Sequence, residues 1–199
     1  LMSGGVDSSV TAYLLKKEGH EVVGLTLKLF ELATEGPGCC GSPSDIYDAK
    51  ECARIIGIPH YTLDEVDEFK KKYGTGTTEF TLEFNKWHKI DPLLRGIKQL
   101  GLDAFLGGIR GVEHEERAQE QFFSPRTNPP HVRVHPILFW TRDEVQTYLK
   151  DNKLPHNPVY DKGYTSLGST LDTTPNKNPN MHERAGRGVA RERIMKQLR

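Results

Sequence analysis

The chain has 199 residues, 36% of them hydrophobic, which is enough to fill the core of one α/β domain. Lys plus Arg and Asp plus Glu both number 27, so no overall field draws the protein to nucleic acid or to a membrane surface. No apolar run approaches the roughly 20 residues that cross a bilayer, no secretory leader pattern precedes the first motif, and three cysteines fit a reducing compartment better than a disulfide scaffold. A cytoplasmic protein without a membrane anchor is the expectation.

Leu1 and Met2 read as the end of a hydrophobic strand, so further strand is expected before them. Ser3-Gly4-Gly5-Val6-Asp7-Ser8 follows, and Val6, Val10, Tyr13 and Leu14 then recur at the period of a helix packed by one face. A strand, a glycine turn and a helix N-terminus make an anion site. Unpaired backbone N–H groups converge there, and the helix dipole adds roughly half a positive charge. Gly4 and Gly5 allow close approach of an oxygen, and Ser3, Ser8 and Ser9 add hydroxyl donors, so a phosphate or pyrophosphate is the natural guest. The competing reading is a tight Gly-Gly turn with Ser8 as an ordinary helix cap. The Walker A pattern is absent.

Residues 21–29 predict a second strand, nearly continuously apolar as in a parallel strand covered on both faces. Residues 31–44 carry Gly, Pro and Ser and read as a loop; Ile46, Ala49, Ala53 and Ile56 mark a helix ended by Gly57 and Pro59, with Cys52 in the core. Residues 60–63 give a third strand, completing a β-α-β-α-β unit. Residues 64–100 read as helical with a break at Gly74-Thr75-Gly76, and residues 103–106 as a strand whose exit is Gly107-Gly108-Ile109-Arg110. Ligands in open parallel sheets collect at such exits. Residues 112–131 read as a loop or lid with a short helix at its start, and residues 131–136 as extended. Thr141 and Glu144 form a capping box opening a helix with Val145, Tyr148 and Leu149 inward. Residues 155–187 are irregular, a last helix uses Ile194, Met195 and Leu198, and no internal repeat is present. The predicted fold is α/β, doubly wound, with a mostly parallel five-stranded sheet, helices on both faces and an irregular C-terminal tail. Residues 1–150 form the nucleotide-binding part, and residues 151–199 a substrate-closing extension of the same domain.

In its strand–turn–helix setting, the hexapeptide resembles the pyrophosphate loop (PP-loop) of the ATP pyrophosphatases, or adenine nucleotide alpha hydrolases. That resemblance implies cleavage of ATP between the α and β phosphates, with pyrophosphate held by the loop. Val6, in place of Lys, is similar to the thiolating and amidating branch. Residues 2–63 resemble tRNA 2-thiouridylases, down to Gly38-Cys39-Cys40 and Asp48-Ala49. Beyond about residue 87 the chain resembles the phosphoadenosine phosphosulfate (PAPS) reductase and FAD synthetase group. The residues that carry this are Trp87-His88-Lys89-Ile90-Asp91-Pro92-Leu93-Leu94, Gly108-Ile109-Arg110, Val134-His135-Pro136-Ile137, Tyr160-Asp161-Lys162-Gly163-Tyr164 and Glu183-Arg184-Ala185-Gly186-Arg187. The chain carries no Glu-Cys-Gly near residue 199, and its cysteines are confined to residues 39–52, short of the thiolate set an iron–sulfur cluster needs. Reduction of a sulfonucleotide is not expected unless a further tail carries the cysteine.

The resemblance implies that Ser3, Gly4, Gly5, Val6, Ser8 and Ser9 hold the β and γ phosphates. Asp7 orients the loop or approaches Mg²⁺ through water, or is a helix N-terminal cap, or both. Leu25, Thr26 and Leu27 offer backbone groups to adenine, and Gly107 and Gly108 admit the nucleotide. Arg110 stabilises charge on the α-phosphate, its alternative being a surface salt bridge. Lys162 holds the acceptor or pyrophosphate, or is a solvated lysine. Arg184 and Arg187 close over phosphates. Arg117, Arg126, Arg133 and Arg142 form a basic rim or ordinary surface charges. Cys39 and Cys40 carry a persulfide or act as nucleophiles, or are inert thiols; with Cys52 and distant histidines they give no zinc spacing. The catalytic candidates are Asp7, Arg110, Lys162, Cys39 and Cys40, with ATP and Mg²⁺ as cofactors. The expected activity is cleavage of ATP to AMP and pyrophosphate to adenylate a small-molecule or tRNA acceptor, with a sulfur donor in the thiolating case. FMN adenylylation and a non-catalytic nucleotide-binding subunit are the alternatives. A homodimer is the default assembly.

Overall fold

Two small sheets carry the strands, and the first residues of the chain lie between them. The structure, a computed structural model, describes residues 1–28, 43–73, 86, 90–166, 174–176 and 183–186. β1 (Gly24–Lys28) and β2 (His60–Asp64) pair in parallel, with Gly24 opposite His60 and Lys28 opposite Asp64. β3 (Ala104–Leu106) pairs in parallel with β5 (Pro130–Val134), and β5 pairs antiparallel with β4 (Phe123–Thr127), in the order β3-β5-β4. Residues 1–3 join the two. The Met2 amide donates to Leu25 O at 2.7 Å, the Thr26 hydroxyl donates to Met2 O at 2.8 Å, and the Leu1 nitrogen reaches Leu106 O at 3.5 Å.

The parallel α/β plan is therefore present, but among the described residues its five strands divide into two sheets. β4 is a strand where the sequence reads as loop. Its Phe-Ser-Pro-Arg-Thr lacks alternation, and Pro125 is tolerated because β4 is at the edge of its sheet, where a missing N–H need not cost a ladder bond. The short helix expected at the start of that stretch is present at Glu115–Ala118.

Among the described residues the α-helices are α1 (Val6–Lys17), α2 (Pro43–Ile56), α3 (Val66–Tyr73), α4 (Asp91–Gln99), α5 (Glu115–Ala118) and α6 (Arg142–Asp151). α6 starts with the expected capping box: Thr141 Oγ1 accepts from the Glu144 amide at 3.2 Å, and the Glu144 carboxylate accepts from the Thr141 amide at 2.7 Å. Val145 and Leu149 are buried beneath it. α1 departs from the one-faced expectation. Val6 and Val10 pack with Ile137, Val145 and Leu149, while Ala12 packs with Ala49, Cys52 and Ala53 of α2. Small side chains at Ser9, Thr11 and Ala12 make the second contact possible, so α1 is the central helix of the domain. Cys52 lies in the α1–α2 core as expected, and burial pushes its thiol pKa up. The stretches holding Cys39 and Cys40, Gly74 to Gly76, Trp87 to Lys89, Arg187 and the last expected helix lie outside the described residues.

Gly108 sets how closely β3's exit can approach α1. A Cβ there would lie 2.8 Å from the backbone carbon and oxygen of Asp7, a contact that neither backbone can relieve cheaply. Gly108→Ala is therefore expected to destabilise the fold by about 1–3 kcal/mol, seen as a lower urea midpoint at unchanged slope; an unchanged midpoint would contradict this packing.

Candidate functional site

Gly4 has φ +69°, and a Cβ on it would lie 2.7 Å from Cβ of Asp48 on α2, so both conformation and space require glycine. Gly5 is the N-cap of α1, with no side-chain cap bond. The first-turn N–H groups have no i−4 carbonyl, and the dipole adds positive character at the same point. Ser8 Oγ donates to Gly5 O at 2.9 Å and lies 3.4 Å from Ser3 Oγ. Ser9 is a correction to the sequence reading. Its hydroxyl donates to Gly5 O at 3.0 Å and is fully buried, so it serves the helix interior and not the mouth of the loop.

Asp7 is not the cap. Its carboxylate accepts Arg110 Nε at 3.0 Å, across 103 residues of sequence. Arg110 leaves β3 and is buried, which sets aside the surface salt bridge. Its two terminal nitrogens donate to the Glu183 carboxylate at 2.9 and 2.5 Å. Glu113 lies 3.9 Å from the same guanidinium, accepts the Arg110 backbone N–H at 3.2 Å and pairs with Arg117. Arg117 thus belongs to this cluster and not to a rim. Burial opposes the Arg110 charge, but the bonds to Glu183 and the charges of Asp7, Glu183 and Glu113 outweigh it and hold the guanidinium pKa above its ordinary value. Burial pushes the Asp7 carboxyl up to about 6, against the pull of Arg110 and with the push of Glu113 and Glu183.

Asp7, Arg110 and Glu183 line a small cleft with Val6, Arg142, Val145, Gln146, Tyr160 and Thr165. The Thr165 hydroxyl donates to Glu183 O at 2.5 Å. On the other side of the loop, the Asn157 amide donates to Asp48 at 3.0 Å, and burial raises the Asp48 pKa. Tyr160, in the Pro158–Lys162 turn, places its hydroxyl 3.4 Å from where a Gly5 Cβ would be. The glycine loop is thereby held between α2 and that turn.

Other expected residues lie elsewhere. Leu25 and Leu27 are core side chains, Leu25 O already accepts from Met2, and the Thr26 hydroxyl is bonded to Met2 O and 2.9 Å from His60 Nε2. The Leu25 carbonyl and the Thr26 hydroxyl are thus taken by protein where an adenine contact was expected, and Leu27 turns its side chain into the core. Gly107 and Gly108 also face protein. The first would carry its Cβ 2.7 Å from the His135 ring, whose Nδ1 is 3.0 Å from Gly107 O, and the second abuts Asp7. Burial lowers the His135 pKa. Lys162 is exposed and is not among the cleft residues. Of the remaining rim arginines, Arg142 lines the cleft, whereas Arg126 and Arg133 lie in the β4–β5 hairpin. Cys39 and Cys40 lie outside the described residues. Glu113 was not singled out from sequence, and Tyr160, Thr165 and Glu183 stood only in runs that carry the family resemblance, with no site role assigned. A carboxylate or hydroxyl far along the chain carries no local signal of which loop it will face. Among the described residues no three His, Cys, Asp or Glu side chains group as a metal site.

The phosphoadenosine phosphosulfate reductase domain model matches residues 1–175. The chain belongs to that family. It is accordingly a PP-loop, adenine nucleotide alpha hydrolase-like protein with a nucleotide-binding enzyme fold. A tRNA-specific 2-thiouridylase from Bartonella tribocorum is 39% identical over 162 residues, covering 75% of this chain and 39% of that protein. One from Bradyrhizobium diazoefficiens is 43% identical over 118 residues, covering 54% and 30%. The chain thus spans well under half the length of these curated relatives. The phosphate complex of phosphoadenylyl-sulfate reductase from Candida auris shares the fold, with a TM-score of 0.61, 20% identity and coverage of 87% and 81%. Candida glabrata FMN adenylyltransferase in complex with FMN and an ATP analogue does so at 0.59, with 17% identity and coverage of 90% and 58%.

Because the fold raises the Asp7 pKa from 3.8 to about 6, the folded state binds this proton more tightly than the unfolded chain, and Asp7 costs stability as pH rises through that window. Asp7→Asn should therefore gain on the wild type between about pH 4 and pH 6 and gain little more above it. Urea midpoints of the two proteins across pH check this; a difference that is flat or of opposite slope would contradict the buried, raised carboxyl.

Proposed function

We propose that this chain is a PP-loop enzyme that cleaves ATP between its α and β phosphates and transfers AMP to an acceptor oxygen. The observation that carries the reading is the α1 N-terminus: a glycine turn and a helix start without a side-chain cap, opening beside Arg110. In the step proposed, the acceptor oxygen bonds to the α-phosphorus, the α–β bridging bond breaks, and pyrophosphate leaves with its electron pair. Ser3, Gly4, Gly5 and Ser8, with the first-turn N–H groups, would receive the pyrophosphate. Arg110 would offset charge growing on the α-phosphate, and Asp7 would hold Arg110 in place.

Mg²⁺ fits this site only as a partner of the nucleotide. Asp7 is a single carboxylate already bonded to Arg110, so a metal would depend on phosphate oxygens and water for its other ligands. When bound, it would screen the phosphate charge. Tyr160, Thr165 and Glu183 support the proposal that residues beyond 150 close the nucleotide cleft.

The 39–43% identity to tRNA-specific 2-thiouridylases favours a tRNA base as acceptor, with Cys39 or Cys40 carrying sulfur afterwards. α-³²P-labelled ATP, incubated with tRNA or with FMN and without a sulfur donor, tests the reading. Label is expected in tRNA with one pyrophosphate released per transfer, and Arg110→Ala should reduce the rate by about 100-fold or more. Label in FAD would move the acceptor to FMN. ADP and phosphate as products, or no turnover with any acceptor, would overturn the proposal.

A further inference from the structure

A phosphate that reaches Arg110 meets an obstacle. Each of the three guanidinium nitrogens is already engaged: Nε by Asp7, and both terminal nitrogens by the two oxygens of Glu183. Three carboxylates, Asp7, Glu113 and Glu183, face two arginines, Arg110 and Arg117. The positive charge of Arg110 is thus already matched by carboxylates before any polyanion arrives. A bidentate carboxylate on a guanidinium presents two oxygens in the arrangement a phosphate uses. Carboxylate and phosphate therefore compete for one face of one side chain.

The three carboxylates differ in how they are held. Asp7 sits in the first turn of the central helix α1. Glu113 is three residues from Arg110, in the Gly111–Glu113 turn, and also accepts the Arg110 backbone N–H. Glu183 reaches in from 73 residues away, and the Thr165 hydroxyl bonds its carbonyl. Of the three, it is the carboxylate that can leave without moving α1 or the exit of β3.

We propose that Glu183 is a built-in phosphate surrogate, filling the two-pronged face of Arg110 until a phosphate oxyanion of the ligand displaces it. The inference rests on the phosphate-site reading above and adds that the site is held closed by its own chain. Ligand affinity then includes the loss of the Arg110–Glu183 pair, and the Glu183 side chain leaves Arg110 when the site fills. A weaker anion, such as a single phosphate, is excluded more strongly than a polyphosphate that also engages the α1 N-terminus.

Isothermal titration of sodium pyrophosphate into the wild type and Glu183→Gln, with EDTA and separately with Mg²⁺, tests it. Glu183→Gln keeps the shape and removes the competing charge, so pyrophosphate should bind at least tenfold tighter in both buffers. Thr165→Val, which loosens the hold on Glu183, should shift affinity the same way by a smaller factor. Equal or weaker binding to Glu183→Gln overturns the inference while leaving the phosphate reading intact, and weakening confined to Mg²⁺ buffer would make Glu183 a metal ligand instead. No pyrophosphate binding to any of the proteins would overturn the phosphate-site reading and this inference together.

Discussion

The buried guanidinium of Arg110 is the constraint on which the arrangement depends. Taking such a charge out of water costs several kcal/mol, and it is tolerated only where carboxylates complete its bonds. Asp7, Glu113 and Glu183 do so, and in doing so they draw the start of α1, the exit of β3, the turn after it and residues 183–186 to one point. The Asp7 contact forces β3's exit against α1, and that approach leaves no room for a side chain at position 108. A glycine that sequence reading gives to the nucleotide is thus explained by the ion pair beside it.

The same cluster organises the cleft. The α1 N-terminus supplies partial positive charge and backbone donors, whereas the guanidinium of Arg110 is already bonded to the carboxylates of Asp7 and Glu183. A nucleotide would therefore meet an attractive loop and a contested arginine. The loop is braced on one side by Asp48 and Asn157 and on the other by Tyr160.

Much of the fold was legible in the sequence because periodicity and punctuation agree there. α1, α2, β1, β2 and β3 follow from apolar spacing ended by Gly and Pro, and the Thr141–Glu144 box marks the start of α6 at its N-cap. β4 was not legible, since its stability comes from pairing with β5 and not from its own polar, Pro-bearing sequence. In the site, Asp7 and Arg110 stood in readable contexts, one after a glycine turn and one at a strand exit. Their partners were not legible as partners: Glu113, three residues beyond Arg110, looks like any polar turn residue, and the pairing of Glu183 with Arg110 across 73 residues leaves no spacing to detect. Ser9, Thr26, Gly107 and Gly108 were of the right residue types for a phosphate or nucleotide contact, yet each is used by the protein's own packing. Small and hydroxyl-bearing residues suit both roles, and only the neighbours decide between them.

The account's central claim is that this site breaks the bond between the α and β phosphates of ATP. Exchange of ³²P-labelled pyrophosphate into ATP, measured with Mg²⁺ and a tRNA acceptor, tests it most directly, because label can enter ATP only if that bond is opened and remade. The account predicts acceptor-dependent exchange that is lost in Arg110→Ala. Turnover of ATP to ADP and phosphate without any exchange would contradict it.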